Sequence, residues 1–404
     1  MMFIYKILTS LVYYIFYPFL FFFFRKHNFK QRTSFRPLNV ENVIWIHAAS
    51  LGEVNAVKPI IKKLIETYNN KTFMLTCVTK TGLEAANTIS GKLIVHQFPL
   101  DIQHIMEKAF NTFKPALIIL VETEIWPNML NQAYKKNVPV LMINARLSQK
   151  SYKRYNMLRW FLRKEFSSIK LICAQSEKNA EKFRLLKFKN VINANNLKFT
   201  ISLPDHDIPK LRQAWNYSFN DFVITFGCTR PGEEILMKKV FDYLYPLIPR
   251  LKMIIAPRHL HRIPEVLSIF NRNQYSLFSD SDNKNPIIIM DEMGVLPQAY
   301  ALSDLAIIGG SFYNYGGHNP LEAIWYEKPV IMGPHHQSCA GTVEKLLQDK
   351  AIIISDADKL QNDIYVIFKN IENRISIGKK GKQILLENQD SLDKHWNAII
   401  EWIK

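Results

Sequence analysis

The stretch DLAIIGGSFYNYGGHNPLEAIWYEKPVIMGP, residues 304–334, decides the fold that we expect for this chain. Its apolar run 305–308 is short and ends at two glycines, which is typical of a buried parallel strand followed by a tight turn. Residues 319–322 read Asn-Pro-Leu-Glu, where asparagine can cap a helix, proline can take its first position and glutamate can close a capping box. A second strand at 329–332 completes a strand-helix-strand unit.

Four of the chain's 14 glycines, Gly309, Gly310, Gly316 and Gly317, lie between the predicted strand and the predicted helix. Glycines concentrated there indicate that the backbone bends sharply or is approached closely by another group. In open α/β sheets, ligands bind beyond the carboxyl ends of strands, where loops and helix N-termini present unpaired N–H groups to anions. We therefore predict a nucleotide-phosphate site in this loop. A helix start that binds no ligand is the alternative interpretation.

The rest of the chain repeats the same alternation, which predicts parallel, doubly wound sheets. Strands are predicted at 43–49, 72–78, 93–98, 116–121, 138–143, 171–174 and 191–194, and again at 222–226, 251–256, 287–290, 305–308, 329–332 and 351–354. A polar, proline-flanked stretch at 204–209 separates the two series, and 404 residues exceed one ordinary core. We predict α/β domains at 26–203 and 204–385, and a helix at 386–404 that packs back on the first domain.

The N-terminus carries 18 residues without a charge, at 7–24. Basic residues follow at Arg25, Lys26, Lys30, Arg32 and Arg36. We predict an uncleaved membrane anchor at 1–25, and the positive-inside rule then leaves the body of the protein in the cytoplasm. A helix that lies in the membrane interface is the alternative, because Pro18 interrupts a segment of marginal length.

The composition narrows the class of partner. The formal net charge of +17 suits a polyanion, namely nucleic acid, an anionic bilayer or a phosphorylated substrate. The four cysteines lie far apart and form no CxxC pair, which indicates reduced thiols and no structural zinc. Two histidine pairs, at 259/261 and 335/336, lack a carboxylate or cysteine at ligand spacing, so no metal is expected.

Carboxylates follow two of the predicted strands in the first half. Glu53 lies just after the first strand, where it can either take a proton from an attacking hydroxyl or merely complete a Ser-x-x-Glu capping box. Glu122 and Glu124 share one face of extended chain, and like charges so close raise one pKa or recruit a cation. The alternative is that one of them caps the helix that starts at Pro127. Lys198, near the linker, can neutralise a transferred group or be simply solvated.

A basic, aromatic stretch covers 146–166 and includes Arg146, Arg154 and Arg159. It is typical of a face that binds a membrane surface or a phospholipid headgroup, although RNA binding or a solvated helix face also fits. In the second half, Arg258 follows a strand, where an arginine can grip a phosphate with two N–H groups.

Eight motifs, in order along nearly the whole chain, resemble those of the 3-deoxy-D-manno-octulosonic acid (Kdo) transferases of Gram-negative lipopolysaccharide synthesis. They are WIHAASLGE (45–53), ETEIWPN (122–128), NARLSQKS (144–151), NLKF (196–199), GCTRPGEE (227–234), PRH (257–259), MG (293–294) and GGSFYNYGGHNPLEA (309–323). The resemblance implies a GT-B glycosyltransferase whose two Rossmann-like domains face a cleft. It also implies inverting, metal-independent transfer of Kdo from CMP-Kdo to the phosphorylated lipid A precursor (lipid IVA) at the cytoplasmic face of the inner membrane, with neither a cofactor nor nucleic acid involved.

The resemblance also implies roles for individual residues. Glu53 is expected to be the general base, and Lys198 is expected to stabilise the transition state with Glu122, or with Glu124 as the second choice. The residues expected to hold CMP are Pro257, Arg258, Met293, Gly294, Val295, Asn319, Pro320, Leu321 and Glu322. Val295 departs from the family, which commonly has an acidic residue after MG, and Cys228 and Arg230 depart from its GSTHEGEE-type loop.

Two other functions remain open at this point. One is a different nucleotide-sugar enzyme of the same fold, such as a transferase with a UDP-sugar donor or an epimerase. The other is a non-enzymatic, membrane-tethered protein that binds RNA or acidic lipid through 146–166.

Overall fold

The computed structural model describes residues 2–23, 29–35, 40–280 and 284–403. The chain forms two compact units, of which unit 1 comprises Met1–Lys198 and Asp390–Lys404, and unit 2 comprises Phe199–Gln389. The chain thus leaves unit 1 after residue 198 rather than after 203, and it returns at residue 390 rather than at 386.

Unit 1 is built on a parallel sheet that has seven strands within the described residues. The strands are β1 Val43–His47, β2 Phe73–Cys77, β3 Leu93–Gln97, β4 Pro115–Val121, β5 Val140–Ala145, β6 Ile169–Ala174 and β7 Val191–Asn193. The helices of this unit are α1 Met2–Phe23, α2 Phe29–Thr33, α3 Leu51–Thr67, α4 Lys80–Ala86, α5 Gln103–Phe113, α6 Pro127–Lys135, α7 Gln149–Leu158, α8 Arg163–Phe166, α9 Glu177–Leu185 and, from the C-terminus, α18 Ser391–Ile400. All seven predicted strands of the first half are present, with bounds that differ by up to two residues.

The sheet of unit 1 is buried on both faces, which explains its nearly continuous apolar strands. In β1, Val43 and Trp45 pack into a core on one face, together with Phe110 of α5. Ile44 and Ile46 pack into a second core on the other face, which α3 and α18 cover. Because successive side chains of a strand point to opposite faces, an amphipathic strand could not fill both cores.

The strand order in unit 1 is β3-β2-β1-β4-β5-β6-β7, so the direction of winding reverses between β1 and β4. The loops after these two strands leave the same edge of the sheet in opposite directions. Such a point opens a crevice outside the carboxyl ends of the strands, where side chains of both loops can meet. Glu53 follows β1, and both Glu122 and Glu124 follow β4.

Helix α1 corrects the prediction of a membrane anchor. In the part of the chain that the structure describes, no helix is both long and apolar enough to cross a membrane. Instead, α1 packs against α5 of unit 1, where Tyr13 is buried beside His104 and the hydroxyl of Tyr5 donates to Asp101 at 3.1 Å. Arg32, predicted to be part of a cationic cluster, donates from Nε to the backbone oxygen of Phe98 at 2.9 Å. Arg25, Lys26 and Arg36 lie outside the described residues.

Unit 2 also contains a parallel sheet, with seven strands in the residues that are described. They are β8 Phe222–Thr229, β9 Leu251–Pro257, β10 Tyr275–Leu277, β11 Ile287–Ile289, β12 Leu305–Ile308, β13 Val330–Met332 and β14 Ile353–Ile354. Its helices are α10 Ile208–Ala214, α11 Glu233–Leu244, α12 Ile263–Leu267, α13 Leu296–Leu302, α14 Leu321–Trp325, α15 Ala340–Gln348, α16 Leu360–Lys369 and α17 Ile371–Glu387. The order β10-β11-β9-β8-β12-β13-β14 reverses between β8 and β12. Strand β10 was not predicted, because its three residues, Tyr-Ser-Leu, carry no clear strand pattern.

Candidate active site

Glu53 lies in the first turn of α3, just beyond the carboxyl end of β1. Its Oε2 accepts from the N–H of Ala49 at 2.7 Å and its Oε1 accepts from the hydroxyl of Ser50 at 3.0 Å. The capping interpretation holds only in part, because the Ser50 side chain makes no capping bond to the helix. Burial, and then the charge of Glu122, raise the pKa of Glu53 to about 7. A carboxyl group with this pKa can both take up and release a proton near neutral pH.

Glu122 lies between two cations. Its Oε1 is 3.4 Å from Nζ of Lys198, and its Oε2 is 3.0 Å from Nε of Arg146. The backbone of Glu122 has a φ of 57°, an uncommon value for a residue with a side chain, and it leaves the end of β4 in this left-handed turn. Only 8% of the residue is exposed. The structure thus pairs Lys198 with Glu122, the first of the two carboxylates considered in the sequence analysis.

Glu124 has different surroundings. Its Oε2 is 3.9 Å from Nε2 of the buried His47, which stacks on Phe98 with 3.9 Å between the ring centroids. Nδ1 of His47 bonds to the backbone oxygen of Thr76 at 3.0 Å, so Nδ1 carries the proton and Nε2 is an acceptor. Burial lowers the pKa of His47 to about 3 and raises the pKa of Glu124. Glu124 therefore faces an uncharged imidazole.

Neither glutamate caps the following helix. The carboxylate of Asp101 accepts from the N–H groups of Asn128 and Met129, at 3.1 and 2.9 Å, in the first turn of α6. These contacts exclude the alternative that Glu122 or Glu124 caps α6. The two carboxylates are therefore held at the carboxyl edge of the sheet for another reason.

The residues of unit 2 that are expected to hold CMP lie at the carboxyl edge of its sheet. Arg258 follows β9, and its N–H donates to the backbone oxygen of Thr229 at 3.1 Å. Glu322 lies on α14, where burial raises its pKa while the nearby Arg258 acts in the opposite direction. The Oδ1 of Asn319 accepts from the N–H of Leu321 at 3.2 Å. The helix nevertheless begins at Leu321 with Pro320 as its N-cap, one residue later than predicted.

The MG pair forms an exposed turn. Met293 is exposed, Gly294 has a φ of 87°, and Val295 precedes α13 as its N-cap. Apart from Gly294 itself and its two chain neighbours, no described residue has an atom within 4 Å of the position where a Cβ of Gly294 would stand. The turn is thus open to an incoming ligand, and its backbone conformation requires glycine.

The glycine loop after β12 differs from the prediction of a phosphate site. The N–H groups of three of its four glycines have acceptors within unit 2. That of Gly309 donates to the Gly227 oxygen, that of Gly317 donates to the Gly310 oxygen, and that of Gly310 donates to a side chain. The carboxylate of Glu233 accepts from Gly310 at 2.7 Å. The same carboxylate also accepts from the N–H groups of Arg230, Ser311 and Phe312. A buried glutamate therefore fills the anion position that the sequence analysis gave to a phosphate, while Gly316, with a φ of 87°, supports the turn.

The basic, aromatic stretch also divides into two parts. Glu53, Glu122 and Glu124 form what we call the carboxylate cluster. Arg146 belongs to this cluster through its contact with Glu122, whereas Arg154 is exposed on α7. Arg159, at the C-terminal end of α7, is half-buried. Beside these two arginines, Met157 and Trp160 are exposed to 68% and 72%. The stretch thus presents large apolar side chains next to cations, which is unlike an ordinary solvated face.

Three buried polar residues escaped the sequence analysis: His47, Glu233 and His395. His47 and Glu233 occur in the motifs WIHAASLGE and GCTRPGEE, for which no role was predicted at these two positions. His395 lies in α18, where the Nε2 atom accepts from the N–H of Asn144 at 3.0 Å. The burial of such residues depends on contacts far along the chain, and no local pattern reports it.

Comparisons with known proteins agree with the motifs. A family profile described as "3-Deoxy-D-manno-octulosonic-acid transferase (kdotransferase)" matches residues 27–201. The 3-deoxy-D-manno-octulosonic acid transferase of Haemophilus influenzae is 31% identical over 364 residues, which cover 87% of this chain and 85% of that relative.

Solved structures agree on the fold. A glycosyltransferase from Rickettsia africae matches with a TM-score of 0.55 at 14% identity, over 91% of this chain and 100% of that chain. A UDP-GlcNAc 2-epimerase from Neisseria meningitidis matches with a TM-score of 0.54 at 14% identity, over 89% of this chain and 99% of that chain. At such low identity these likenesses establish only two parallel-sheet α/β units of the GT-B type, a fold that transferases and epimerases share. The sequence relatives establish more than the fold: this chain belongs to the 3-deoxy-D-manno-octulosonic acid transferase family and is a glycosyltransferase.

Proposed function

We propose that this chain transfers Kdo from CMP-Kdo to the phosphorylated lipid A precursor, lipid IVA, with inversion at the anomeric carbon and without a metal. The observation that carries the proposal is Glu53, a buried carboxyl group with a pKa of about 7 that is fixed beside the carboxylate of Glu122. Motif and family identify the sugar, and the carboxylate cluster supplies the chemistry that its transfer needs.

Glu53 acts as the general base. The acceptor hydroxyl gives its proton to the Glu53 carboxylate while its oxygen forms a bond to the anomeric carbon of Kdo. The bond from that carbon to the phosphate oxygen breaks, and CMP leaves with the electron pair. Attack from the face opposite the leaving group inverts the configuration. Because Ala49 and Ser50 hold both oxygens of the carboxylate, little orientational freedom is lost when the base meets the hydroxyl.

Lys198 and Glu122 stabilise the transition state. Positive charge develops on the sugar carbon and negative charge on the leaving phosphate, so a fixed carboxylate-ammonium pair can oppose both changes. Arg146 holds the second oxygen of Glu122 and thereby keeps the carboxylate in one orientation. Glu124, which faces an uncharged imidazole, is not assigned this role.

The donor is held by groups of unit 2. Arg258 neutralises the phosphate of CMP-Kdo, and the carboxylate of Glu322 accepts from the ribose hydroxyls. The exposed turn at Met293–Val295 offers backbone groups to the nucleotide, as does the helix start at Asn319–Leu321. A single phosphate charge can be balanced by an arginine and backbone dipoles, so no divalent cation is required.

The acceptor is a lipid, and unit 1 offers apolar side chains that suit a bilayer surface. Helix α1 exposes Leu11, Val12 and Ile15 on the side that does not pack against α5. Lys6 of this helix lies close enough to Glu165 in α8 for their charges to interact. Helix α8 closely follows the exposed residues Trp160 and Phe161, so α1 lies near this second exposed segment. We propose that α1 and the 154–161 segment contact the cytoplasmic leaflet of the inner membrane, whose anionic lipids attract a protein of net charge +17.

The test is mass spectrometry of lipid A species from a host that lacks its own Kdo transferase and expresses either the wild-type chain or Glu53→Gln. We expect wild-type lipid to gain the mass of Kdo and the variant lipid to remain at the mass of lipid IVA. A second arm measures thermal unfolding of both proteins with CMP or UMP, and we expect CMP alone to stabilise both. A variant that modifies lipid at the wild-type rate would refute the role of Glu53. Stabilisation by UMP would point to a uridine donor.

A further inference from the structure

Asn144, the residue after Ile143 in β5, is fixed through three separate hydrogen bonds. Its N–H donates to Nε2 of His395 at 3.0 Å, and its backbone oxygen accepts from Nε2 of Gln175 at 2.9 Å. Its side-chain Oδ1 accepts from the N–H of Leu197 at 3.0 Å. The residue is fully buried and has a φ of 51°, a left-handed conformation that asparagine tolerates better than most residues. This conformation persists only where surrounding contacts hold it.

Both cations that contact Glu122 are connected to this one residue. Arg146 lies two positions after Asn144, so the turn at Asn144 sets the direction in which its side chain leaves the strand. Lys198 directly follows Leu197, whose N–H is held by the Asn144 side chain. A movement of Asn144 would therefore displace Arg146 and Lys198 together, and each lies within 3.4 Å of a different oxygen of Glu122.

His395 reaches Asn144 from α18, the helix that returns to unit 1 at the end of the chain. Its Nδ1 donates to the backbone oxygen of Ser391 at 2.7 Å, one helical turn earlier, so Nε2 carries the lone pair that accepts from Asn144. The side chain is completely buried. Burial lowers the pKa of His395 to about 4, so the imidazole is neutral and remains an acceptor at physiological pH.

We propose that His395 is a positioning residue for sugar transfer: by fixing the left-handed turn at Asn144, it aligns Arg146 and Lys198 on the two oxygens of Glu122. The inference rests on the proposed function for the catalytic meaning of that cluster. Helix α18 therefore has a second role, in addition to covering the core between α3 and the sheet. It supplies the acceptor for a buried N–H group that would otherwise be unsatisfied at the edge of the site.

The test compares three variants of the full chain in a transfer assay with CMP-Kdo and lipid IVA in detergent. His395→Leu removes the acceptor, whereas His395→Gln places an amide oxygen near the position of Nε2. Trp396→Leu is the matched control, because Trp396 anchors the same helix on α3 through Lys63 and Tyr68 without contacting Asn144. We expect His395→Leu to lower kcat between about 10-fold and 100-fold with KM for CMP-Kdo changed less than about twofold. We expect His395→Gln to recover most of kcat, and Trp396→Leu to lower Tm with kcat unchanged.

Amide hydrogen exchange gives a readout that is independent of activity. In His395→Leu, peptides covering 144–148 and 195–199 should exchange faster than in the wild type, and in His395→Gln they should exchange at nearly the wild-type rate. Unchanged exchange in His395→Leu would overturn the proposal, as would a kcat loss that Trp396→Leu reproduces at equal loss of Tm. Faster exchange in His395→Leu together with a fully active Glu122→Gln variant would instead refute the proposed function of Glu122. The hydrogen bond from Asn144 to His395 would then have no catalytic purpose.

Discussion

Lys198 places its ammonium group 3.4 Å from Oε1 of Glu122, although 76 positions separate the two residues in the sequence. Both side chains are largely buried, with 22% and 11% of their surfaces exposed. A partly desolvated pair interacts more strongly than a surface pair, since less water screens the charges. The pair is therefore a defined element of the carboxylate cluster of unit 1.

Replacing Lys198 with methionine should impair transfer far more than donor binding. Methionine keeps much of the apolar stem but removes the charge that opposes charge development in the transition state. Loss of one such group costs roughly 100-fold to 1,000-fold in kcat. Steady-state kinetics should therefore give a kcat reduced by about this factor, with KM for CMP-Kdo nearly constant. Lys198→Arg, which retains the charge, is the control, and a kcat loss as large as that of methionine would indicate a packing defect instead.

The pKa of Glu53 predicts how transfer depends on pH. Because the general base must be ionised to take a proton, and its pKa in the free protein is raised to about 7, kcat/KM should fall about tenfold for each pH unit below that value. A carboxyl group with its ordinary pKa near 4.5 would leave kcat/KM flat down to pH 5. A kcat/KM profile measured from pH 5 to pH 9 decides between these outcomes, with CMP-Kdo stability followed in parallel as the control.

The same shift predicts that Glu53→Gln gains stability where it loses activity. The folded protein binds the Glu53 proton more tightly than the unfolded chain, so the wild type loses stability as pH rises from about 4.5 through 7. Glutamine stays neutral and should be more stable at pH 8 by about 3 kcal/mol, since one pKa unit corresponds to about 1.4 kcal/mol. The difference in Tm between variant and wild type should shrink when calorimetry is repeated at pH 5. A constant difference would mean that burial does not disfavour the charged carboxylate.

The sequence predicted the positions of most strands well, because parallel strands buried on both faces appear in the sequence as continuous apolar runs. The strand Leu305–Ile308 appears with the bounds that the glycines after it implied. The same property made α1 ambiguous, since an apolar helix can face lipid or protein. Its contacts in unit 1 include the hydrogen bond from Tyr5 to Asp101, which precedes α5, and no local sequence pattern reports a contact between residues 96 positions apart.

The candidate site was predictable in its residues but not in its connections. The motifs identified Glu53, Glu122 and Lys198. They could not show whether Glu122 or Glu124 pairs with Lys198, because this depends on the left-handed turn at the end of β4. The glycine loop shows the opposite case. Three of its four glycines, Gly310, Gly316 and Gly317, have the positive φ values expected of a tight turn, whereas the N–H of Gly310 donates to a glutamate 77 positions away. Sequence patterns report local conformation, and they do not report which distant group satisfies a donor.

Glu233 should accordingly control the stability of unit 2. In Glu233→Gln, an NH₂ group replaces one of two oxygens that together accept from four backbone N–H groups, so at least one buried donor loses its acceptor. Each buried donor left unsatisfied costs roughly 1–3 kcal/mol. We expect a lower Tm and weaker CMP binding by calorimetry, because the glycine loop is displaced. Glu372→Gln serves as the control, since Glu372 is an exposed residue in the first turn of α17; equal effects of both variants would contradict this role.

The 154–161 segment, which exposes Arg154 and Trp160, should control binding to membranes separately from catalysis. Arg154→Ala with Arg159→Ala should weaken sedimentation with vesicles that contain anionic lipid, and the loss should diminish at high salt because the lost attraction is screened. Trp160→Ala should weaken the same binding at all salt concentrations, since insertion of an indole into the interface does not depend on charge. Transfer to acceptor dispersed in detergent should remain near the wild-type rate in all three substitutions. Wild-type vesicle binding by these variants would exclude this face as the membrane contact, and loss of the detergent activity would indicate misfolding or a direct role in acceptor binding.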